Sequence, residues 1–531
     1  MARSKEAPVD GSKTADFLHL SIADVRRGDR CDSLTEQLRQ AIRDGRLTTG
    51  VRLPSSRVLA DELDVSRGVV TEAYRRLSEG GQLTSHGRGG TVVVAAPLPD
   101  KAMPDDAAAA TGLAPDAIFQ RPFGNLTFEQ LRAAPARIDL SPGVPDLAAF
   151  PRNAWLRAER RVLDSLEPAD FGYAPAAGAT EFRLAVSRWL ARNRGVRVEP
   201  EQVIAVAGVA QALALLAKVL RADGSHLVAV EDPSSLGVRE HLRANGIGTT
   251  PVAIDDKGLR VDELRRSSAR VVHLTPAHQF PMGVVLDGDR RRDLAQWAVD
   301  NGGLIIEDDY DAEHRYDRPP VPALRSMLPE HVCYASSVSK LLAPALRIGW
   351  LVVPARMHEA VVAAKRDNDL GNAGLPQLTL AALMESGDLE RHLRLLRQRH
   401  RRRRDAMVEA LREHVPSARA HGAAAGLHLT VTFGEPVDDI WLAQRALSRG
   451  VKTQPLSMHR LVAGDPGLVL GYAARSPSEI AEGIAIIAQE LNRTGDGQTM
   501  RNLTGAPVSR AGTPPGAPTS ARSASAPPRD R

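Results

Sequence analysis

At 531 residues the chain is too long for one hydrophobic core, so two or three domains are expected, and its 43% apolar residues are ordinary for globular protein. A net charge of +5 permits a nucleic-acid partner without demanding one. No apolar run is long enough to cross a bilayer, the first residues carry no apolar stretch of a secretion signal, and Cys31 and Cys333 lie too far apart in sequence to read as a disulfide framework; a membrane span and a stapled secreted domain are excluded, and a reducing cytoplasm is expected.

Residues 1–19 read as a disordered lead. From there to residue 95 helix and turn signals are dense. Leu34, Leu38, Ala41 and Ile42 share one helical face, and Gly45 and Gly50 end that helix. Pro54–Ser55 starts a second helix carrying Val58, Leu59 and Leu63. Asp64-Val65-Ser66 is a tight turn with Ser66 as cap of a third helix, whose apolar face is Val69, Val70, Ala73, Tyr74 and Leu77. Gly80–Gly81 stops it, and Leu83 to Val94 reads as a hairpin with a Gly-Arg-Gly-Gly tip. Three short helices and a glycine-tipped hairpin make a winged helix-turn-helix over 20–95. Ser66, Arg67 and Thr71 lie on the first turns of the third helix, where amide donors and the dipole point at phosphate. Arg57 sits at the start of the preceding helix, and Arg88, Gly89 and Gly90 form the tip that approaches a groove.

This segment resembles the GntR family of regulators through Arg52-Leu53-Pro54-Ser55-Ser56-Arg57, Val65-Ser66-Arg67, Ala73-Tyr74 and Gly89-Gly90-Thr91. The resemblance implies that the arginines and small hydroxyls there, Arg52 and Ser56 among them, contact double-stranded operator DNA.

Residues 96–136, rich in Ala, Pro and Asp, read as a linker. From 137 to 494 apolar strand-like runs alternate with helical ones, the pattern of an α/β fold with a mostly parallel sheet. Residues 495–531 are expected to be disordered. The strand-like runs at 203–208, 226–233, 271–278, 304–310 and 334–340 end in polar residues, and the carboxyl ends of such strands are where ligands bind. They bring Asp308 and Tyr310, then Ser337, Ser339, Lys340 and Arg347. Lys340 has only apolar and hydroxyl neighbours in sequence, which suits an amine nucleophile of depressed pKa. Hydroxyls with an arginine suit a phosphate, and a carboxylate suits a pyridinium nitrogen, so the set fits pyridoxal 5′-phosphate (PLP). The basic run 399–404 reads as a solvated helix face.

This region resembles fold-type I PLP-dependent aminotransferases, and more closely the aminotransferase-like domain of the MocR subfamily, in which a GntR-like head is fused to it. The motifs are Thr275-Pro276-Ala277-His278-Gln279-Phe280-Pro281-Met282-Gly283, Glu307-Asp308-Asp309-Tyr310-Asp311, Ser337 to Arg347, and Gly422 to His428. The resemblance implies a multidomain regulator in which Lys340 carries the cofactor covalently, Asp308 meets its ring nitrogen and Tyr310 its phenolic oxygen. Ser337, Ser339, Arg347 and the backbone at Gly208 and Val209 face the phosphate; Arg347 is alternatively an effector-carboxylate ligand. Tyr173 reaches a neighbouring subunit's site in a homodimer. No metal is expected. Four departures stand out: the phosphate turn is Ala207-Gly208-Val209-Ala210-Gln211, the usual stacking aromatic is replaced within Asp232-Pro233-Ser234-Ser235, the usual Gly-Asp-Pro-Ala-Gly is altered around Ala174-Pro175-Ala176-Ala177-Gly178, and Arg475 falls one place later than an effector-binding arginine should. The implied function is a transcriptional regulator that senses an amino compound or PLP. The alternative is a working aminotransferase with an accessory DNA-binding head.

Overall fold

The computed structural model describes residues 20–22, 25, 26, 28–85, 90–94, 126–311, 313–316 and 321–503. The chain divides into two compact units between Arg121 and Pro122.

In the first unit, α1 (Arg30–Arg43) buries Leu34, Leu38, Ala41 and Ile42, the face expected from their spacing. Strand β1 (Arg52–Leu53) leads into α2 (Ser56–Glu62), where Ser55 Oγ accepts the Val58 amide at 3.3 Å and caps the helix. Helix α3 (Arg67–Glu79) buries Val70, Ala73, Tyr74 and Leu77. Ser66 stands at its N-cap position, but no side-chain bond to the helix forms, so that cap is positional only. The Tyr74 hydroxyl donates to Pro54 O at 3.0 Å and ties α3 to the turn before α2. Strands β2 (Leu83–Ser85) and β3 (Thr91–Val93) form the expected hairpin, and β1 pairs with the other edge of β3 to make three strands. Two residues are too few for alternation to reveal β1. Arg88 and Gly89 lie outside the described residues.

The second unit opens with α4 (Leu126–Ala133), inside the stretch expected to be linker. The Ala-Pro-rich composition ends before it: Phe128 and Leu131 are three apart and pack with Leu236 and Met458. The remainder is an α/β domain: α5 (Arg152–Ser165), α6 (Thr180–Arg194), β4 (Val203–Val206), α7 (Val209–Ala222), β5 (Leu227–Asp232), α8 (Leu236–Ala244), β6 (Gly248–Asp255), β7 (Gly258–Leu259), β8 (Val271–Leu274), α9 (Gly288–Asn301), β9 (Leu304–Asp309), β10 (Val332–Ser337), β11 (Gly349–Val352), α10 (Ala355–Asp369) and α11 (Asp388–His414). The sheet runs β4-β11-β10-β9-β8-β5-β6-β7. The run β10-β9-β8-β5-β6 is parallel throughout, whereas β11 pairs antiparallel with both β10 and β4, and β7 pairs antiparallel with β6. The central strands β9 and β10 are buried along their whole length, as expected where both faces are covered.

A smaller antiparallel sheet, β12 (Arg419–His421), β13 (His428–Thr432), β14 (Gln454–Pro455) and β15 (Gly467–Gly471), in the order β12-β13-β15-β14, shares a core with α11 and α12 (Pro477–Leu503). Helix α12 continues beyond 494 into the expected disordered tail; it runs through Gly495 and Gly497, and after Pro477 no proline interrupts it before Pro507. The run 399–404 is not a fully solvated face: His400 is buried, and Arg403 donates to the buried Asp146 carboxylate at 2.9 Å. Among the described residues no helix is long and apolar enough to cross a membrane.

Candidate functional site

On the first unit, the residues expected at DNA lie together. Arg67 opens α3, and its Nε donates to the Ser56 hydroxyl at 3.2 Å, so the starts of α2 and α3 present one polar surface. Arg57, Ser66, Arg67 and Thr71 are exposed and Ser56 is half-buried. At the wing, Gly90 has φ +81°, and a Cβ there would lie 3.3 Å from Arg52 Cδ. A side chain at 90 would be strained and would crowd the arginine.

On the second unit, the parallel strands end at a cavity of about 370 Å³. Gly208, Val209, Asp308, Tyr310, Ser337, Ser339, Lys340 and Arg347 all line it. Tyr173 does not; it is 93% exposed. Arg475 is also absent from the wall, and its guanidinium lies 3.4 Å from Glu479 on α12.

Strand alternation explains which acid serves the cavity. On β9, Glu307 accepts the Leu324 and Arg325 amides at 2.9 and 3.0 Å, and Asp309 lies 2.6 Å from Arg194 Nε. Those two flank Asp308, which faces the cavity. Its Oδ1 is buried without a hydrogen-bond partner, and its Oδ2 lies 3.7 Å from His273 Nε2, which is also unpartnered. The adjacent Tyr310 hydroxyl stands 3.1 Å from His278 Nδ1, which is 2.8 Å from the Asp311 carboxylate. Burial, with the charge of Asp311 second, raises the Tyr310 pKa well above its usual value and keeps the phenol protonated.

Strand β10 delivers Ser337, then Ser339 and Lys340 on the following turn. The Lys340 amine donates to Gly143 O, and burial lowers its pKa, against the opposing pull of Asp311 and Asp308. Arg347 adopts a left-handed backbone, φ +52°, and donates to Ala207 O. Gly208, φ +91°, precedes α7, and a Cβ there would lie 3.5 Å from the Arg347 guanidinium. Small side chains, a helix N-terminus, two hydroxyls and an arginine stand together at this end of the cavity, a donor set whose chemistry suits a phosphate although the turn has no hydroxyl of its own.

This donor set fits PLP. An unpaired buried carboxylate oxygen suits a ring N–H, a protonated phenol suits the ring oxygen, and an amine of lowered pKa suits covalent attachment. When bound, PLP supplies an electron sink for chemistry at an amine's α-carbon. The altered turn after β5 has another use: Asp232 accepts the Leu461 and Val462 amides at 2.7 and 2.9 Å, and Ser235 caps α8.

Several wall residues escape sequence reasoning. Phe128 and Arg132 were hidden in the supposed linker; their only signal was the Phe128–Leu131 spacing. Glu231 ends a strand like any other acid, yet it is buried against Thr275 and desolvation pushes its pKa up to about 7. His428, which the Gly422 to His428 motif does mark in the sequence, also lines the wall; its ring Nε2 lies 3.0 Å from Pro281 O, and burial holds it neutral with a pKa of about 3.

Fold and site define a DNA-reading winged helix joined to an aminotransferase-type domain. Residues 31–93 match the bacterial regulatory proteins of the gntR family, and residues 136–487 match aminotransferase class I and II. The chain is 31% identical over 455 residues to the "Probable rhizopine catabolism regulatory protein MocR" of Rhizobium meliloti, covering 85% of this chain and 91% of the relative. It is 32% identical over 463 residues to the HTH-type pyridoxine biosynthesis transcriptional regulator PdxR of Corynebacterium glutamicum, covering 86% and 95%. A solved multiple substrate aminotransferase from Thermococcus profundus superposes with a TM-score of 0.65 at 26% identity, covering 72% of this chain and 98% of its own. The chain belongs to the MocR-type branch of the GntR family: it is a helix-turn-helix transcriptional regulator whose second domain has the fold of PLP-dependent aminotransferases.

Proposed function

We propose that the second unit binds PLP in this cavity and senses an amino compound, or PLP itself, thereby changing the affinity of the head for its operator. Lys340 is the attachment point, Asp308 holds the ring nitrogen, Tyr310 holds the ring oxygen, and Ser337, Ser339, Arg347 and the Gly208–Val209 backbone hold the phosphate. The observation that carries this reading is the buried, unpartnered Asp308 oxygen in the same cavity as the half-buried Lys340. A buried acceptor left without a donor is costly, so a ligand N–H there is favoured. In the head, Arg52, Ser56, Arg57, Ser66, Arg67, Thr71, Arg88, Gly89 and Gly90 serve DNA.

The regulator acts in the cytoplasm as a homodimer. Leu156, Phe171 and Tyr173 give the second unit exposed apolar groups for a second copy, and Tyr173 is free to reach the partner's cavity. The test is the absorbance of purified protein given PLP. After borohydride reduction and removal of unbound PLP by gel filtration, wild type keeps a covalent cofactor absorbance and Lys340→Ala keeps none while still binding operator. A wild type that keeps none, or a variant that keeps as much, refutes the assignment.

A further inference from the structure

The turn Ala207-Gly208-Val209-Ala210 that enters α7 carries no charged or hydroxyl side chain. What it can offer a ligand is backbone, because the first amides of a helix have no acceptor within it. Backbone amides grip an anion only if the turn keeps one shape. The glycine at its centre, Gly208 at φ +91°, permits that shape but does not enforce it.

The turn is held from behind. The Ala207 amide donates to Gln211 Oε1 at 2.7 Å, and the Ala207 carbonyl accepts from Arg347. Gln211 is in turn gripped from α10. Its Nε2 donates to Asp369 Oδ2 at 2.5 Å, and its Oε1 accepts from Lys365 Nζ at 3.3 Å. Lys365 Nζ also donates to Asp369 at 3.0 Å and to Asn372 Oδ1 at 2.6 Å, so its three protons meet three side chains. Asp369 Oδ1 accepts the Gly371 amide at 2.9 Å, just past the left-handed Leu370 at φ +59°. Lys365, Asp369 and Asn372 are all absent from the cavity wall.

The Lys365 side chain is wholly buried, and burial lowers its pKa against the pull of Asp369. Such an ion pair is a poor source of stability, since well-packed apolar residues of similar volume often serve as well or better. What apolar residues cannot do is fix the orientation of the Gln211 amide. We propose that Lys365 is a positioning residue for the cofactor phosphate: with Asp369 and Asn372 it fixes Gln211, and Gln211 fixes the Ala207–Gly208 turn with the first α7 amides turned to the cavity. This rests on the PLP reading above. A turn without a hydroxyl of its own takes its order from a lysine 154 residues later in the chain.

The test uses the full chain and two aldehydes, PLP and 5′-deoxypyridoxal, which keeps the ring and aldehyde and lacks the phosphate. Each is titrated, reduced with borohydride and freed of unbound material, and the adduct is counted as the amount above that on Lys340→Ala. Lys365→Met should need about tenfold more PLP for half-loading, while its response to 5′-deoxypyridoxal stays within about twofold of wild type. Gln211→Met leaves the Lys365–Asp369 pair in place and should lose as much, so it carries the same test if Lys365→Met does not fold. The double variant should lose no more than either single one, because both act on one turn. Unchanged PLP loading, equal losses with both aldehydes, or losses that multiply in the double variant overturn the proposal with the cofactor reading intact. A wild type that takes both aldehydes equally also overturns it. A wild type with no adduct above Lys340→Ala overturns the cofactor reading and this inference with it.

Discussion

Arg194→Met tests how the cavity acid is positioned. Arg194 and Asp309 side chains are each only 1% exposed, with Nε and Oδ2 2.6 Å apart. Tyr334 OH donates to the same Asp309 oxygen at 2.5 Å, and a second Arg194 nitrogen donates to Val321 O at 2.6 Å. Removing the guanidinium leaves a carboxylate buried beside Glu307 and Glu313 without its cation. Breaking a buried pair from one side costs about 3–5 kcal/mol, because the remaining charge is uncompensated. The pair is imperfectly satisfied, since Arg194 Nη2 and Asp309 Oδ1 lack partners, so removing both charges should cost less than removing one. Urea unfolding followed by tryptophan fluorescence reads this, because Trp189 and Trp350 are buried in the core cluster that also holds Tyr334. We expect Arg194→Met to lose about 3–5 kcal/mol and Arg194→Met with Asp309→Asn to recover a good part. A single-variant loss below about 1 kcal/mol, or a double variant no better than the single, would refute the reasoning.

Burial raises the Glu307 pKa from 4.5 to about 7, so its contribution is full below the unfolded value and is lost as pH rises through about 7. Glu307→Gln should therefore lose less stability than wild type between pH 5 and pH 8, by up to about 3 kcal/mol at about 1.4 kcal/mol per pKa unit, and parallel pH profiles would contradict this. His400 is buried with both ring nitrogens unpartnered, and desolvation lowers its pKa to about 2. His400→Leu should be neutral or stabilising at pH 7 and should unfold at lower pH than wild type, by thermal denaturation; a marked loss at pH 7 would show an unseen polar role. Arg67→Ala should weaken operator binding and reduce the slope of log K against log salt by about 1, read by fluorescence anisotropy across a salt series, whereas an unchanged affinity would remove it from the interface.

What the sequence disclosed was set by how local the signal is. The faces of α1 and α3 and the strand ends bearing Asp308 and Lys340 follow from period and order alone, because each burial pattern lies within one element. The role of Asp308 as against Asp309 became physical only with Arg194, which comes from a helix 115 residues earlier. Helix α4 was hidden because its anchors, Leu236 and Met458, are remote in the chain and its preceding composition reads as linker. Ser66 shows the reverse case: its residue type and position suit a cap, yet its hydroxyl makes no bond to the helix.

A cavity and a DNA-reading head on one chain make a switch only if ligand and operator prefer different states, since a ligand of equal affinity for both shifts nothing. The coupling must then be reciprocal. If the effector changes operator affinity by some factor, saturating operator duplex must change effector affinity by the same factor, typically about 5- to 150-fold in allosteric proteins. The measurement pairs two titrations in one buffer: anisotropy of labelled operator with and without saturating amino compound, and cofactor absorbance against amino compound with and without saturating operator. Equal factors are expected. If operator affinity responds to the amino compound while the absorbance titration is indifferent to operator, the ligand that moves the DNA equilibrium binds somewhere other than this cavity, and the Lys340 site is not the sensor.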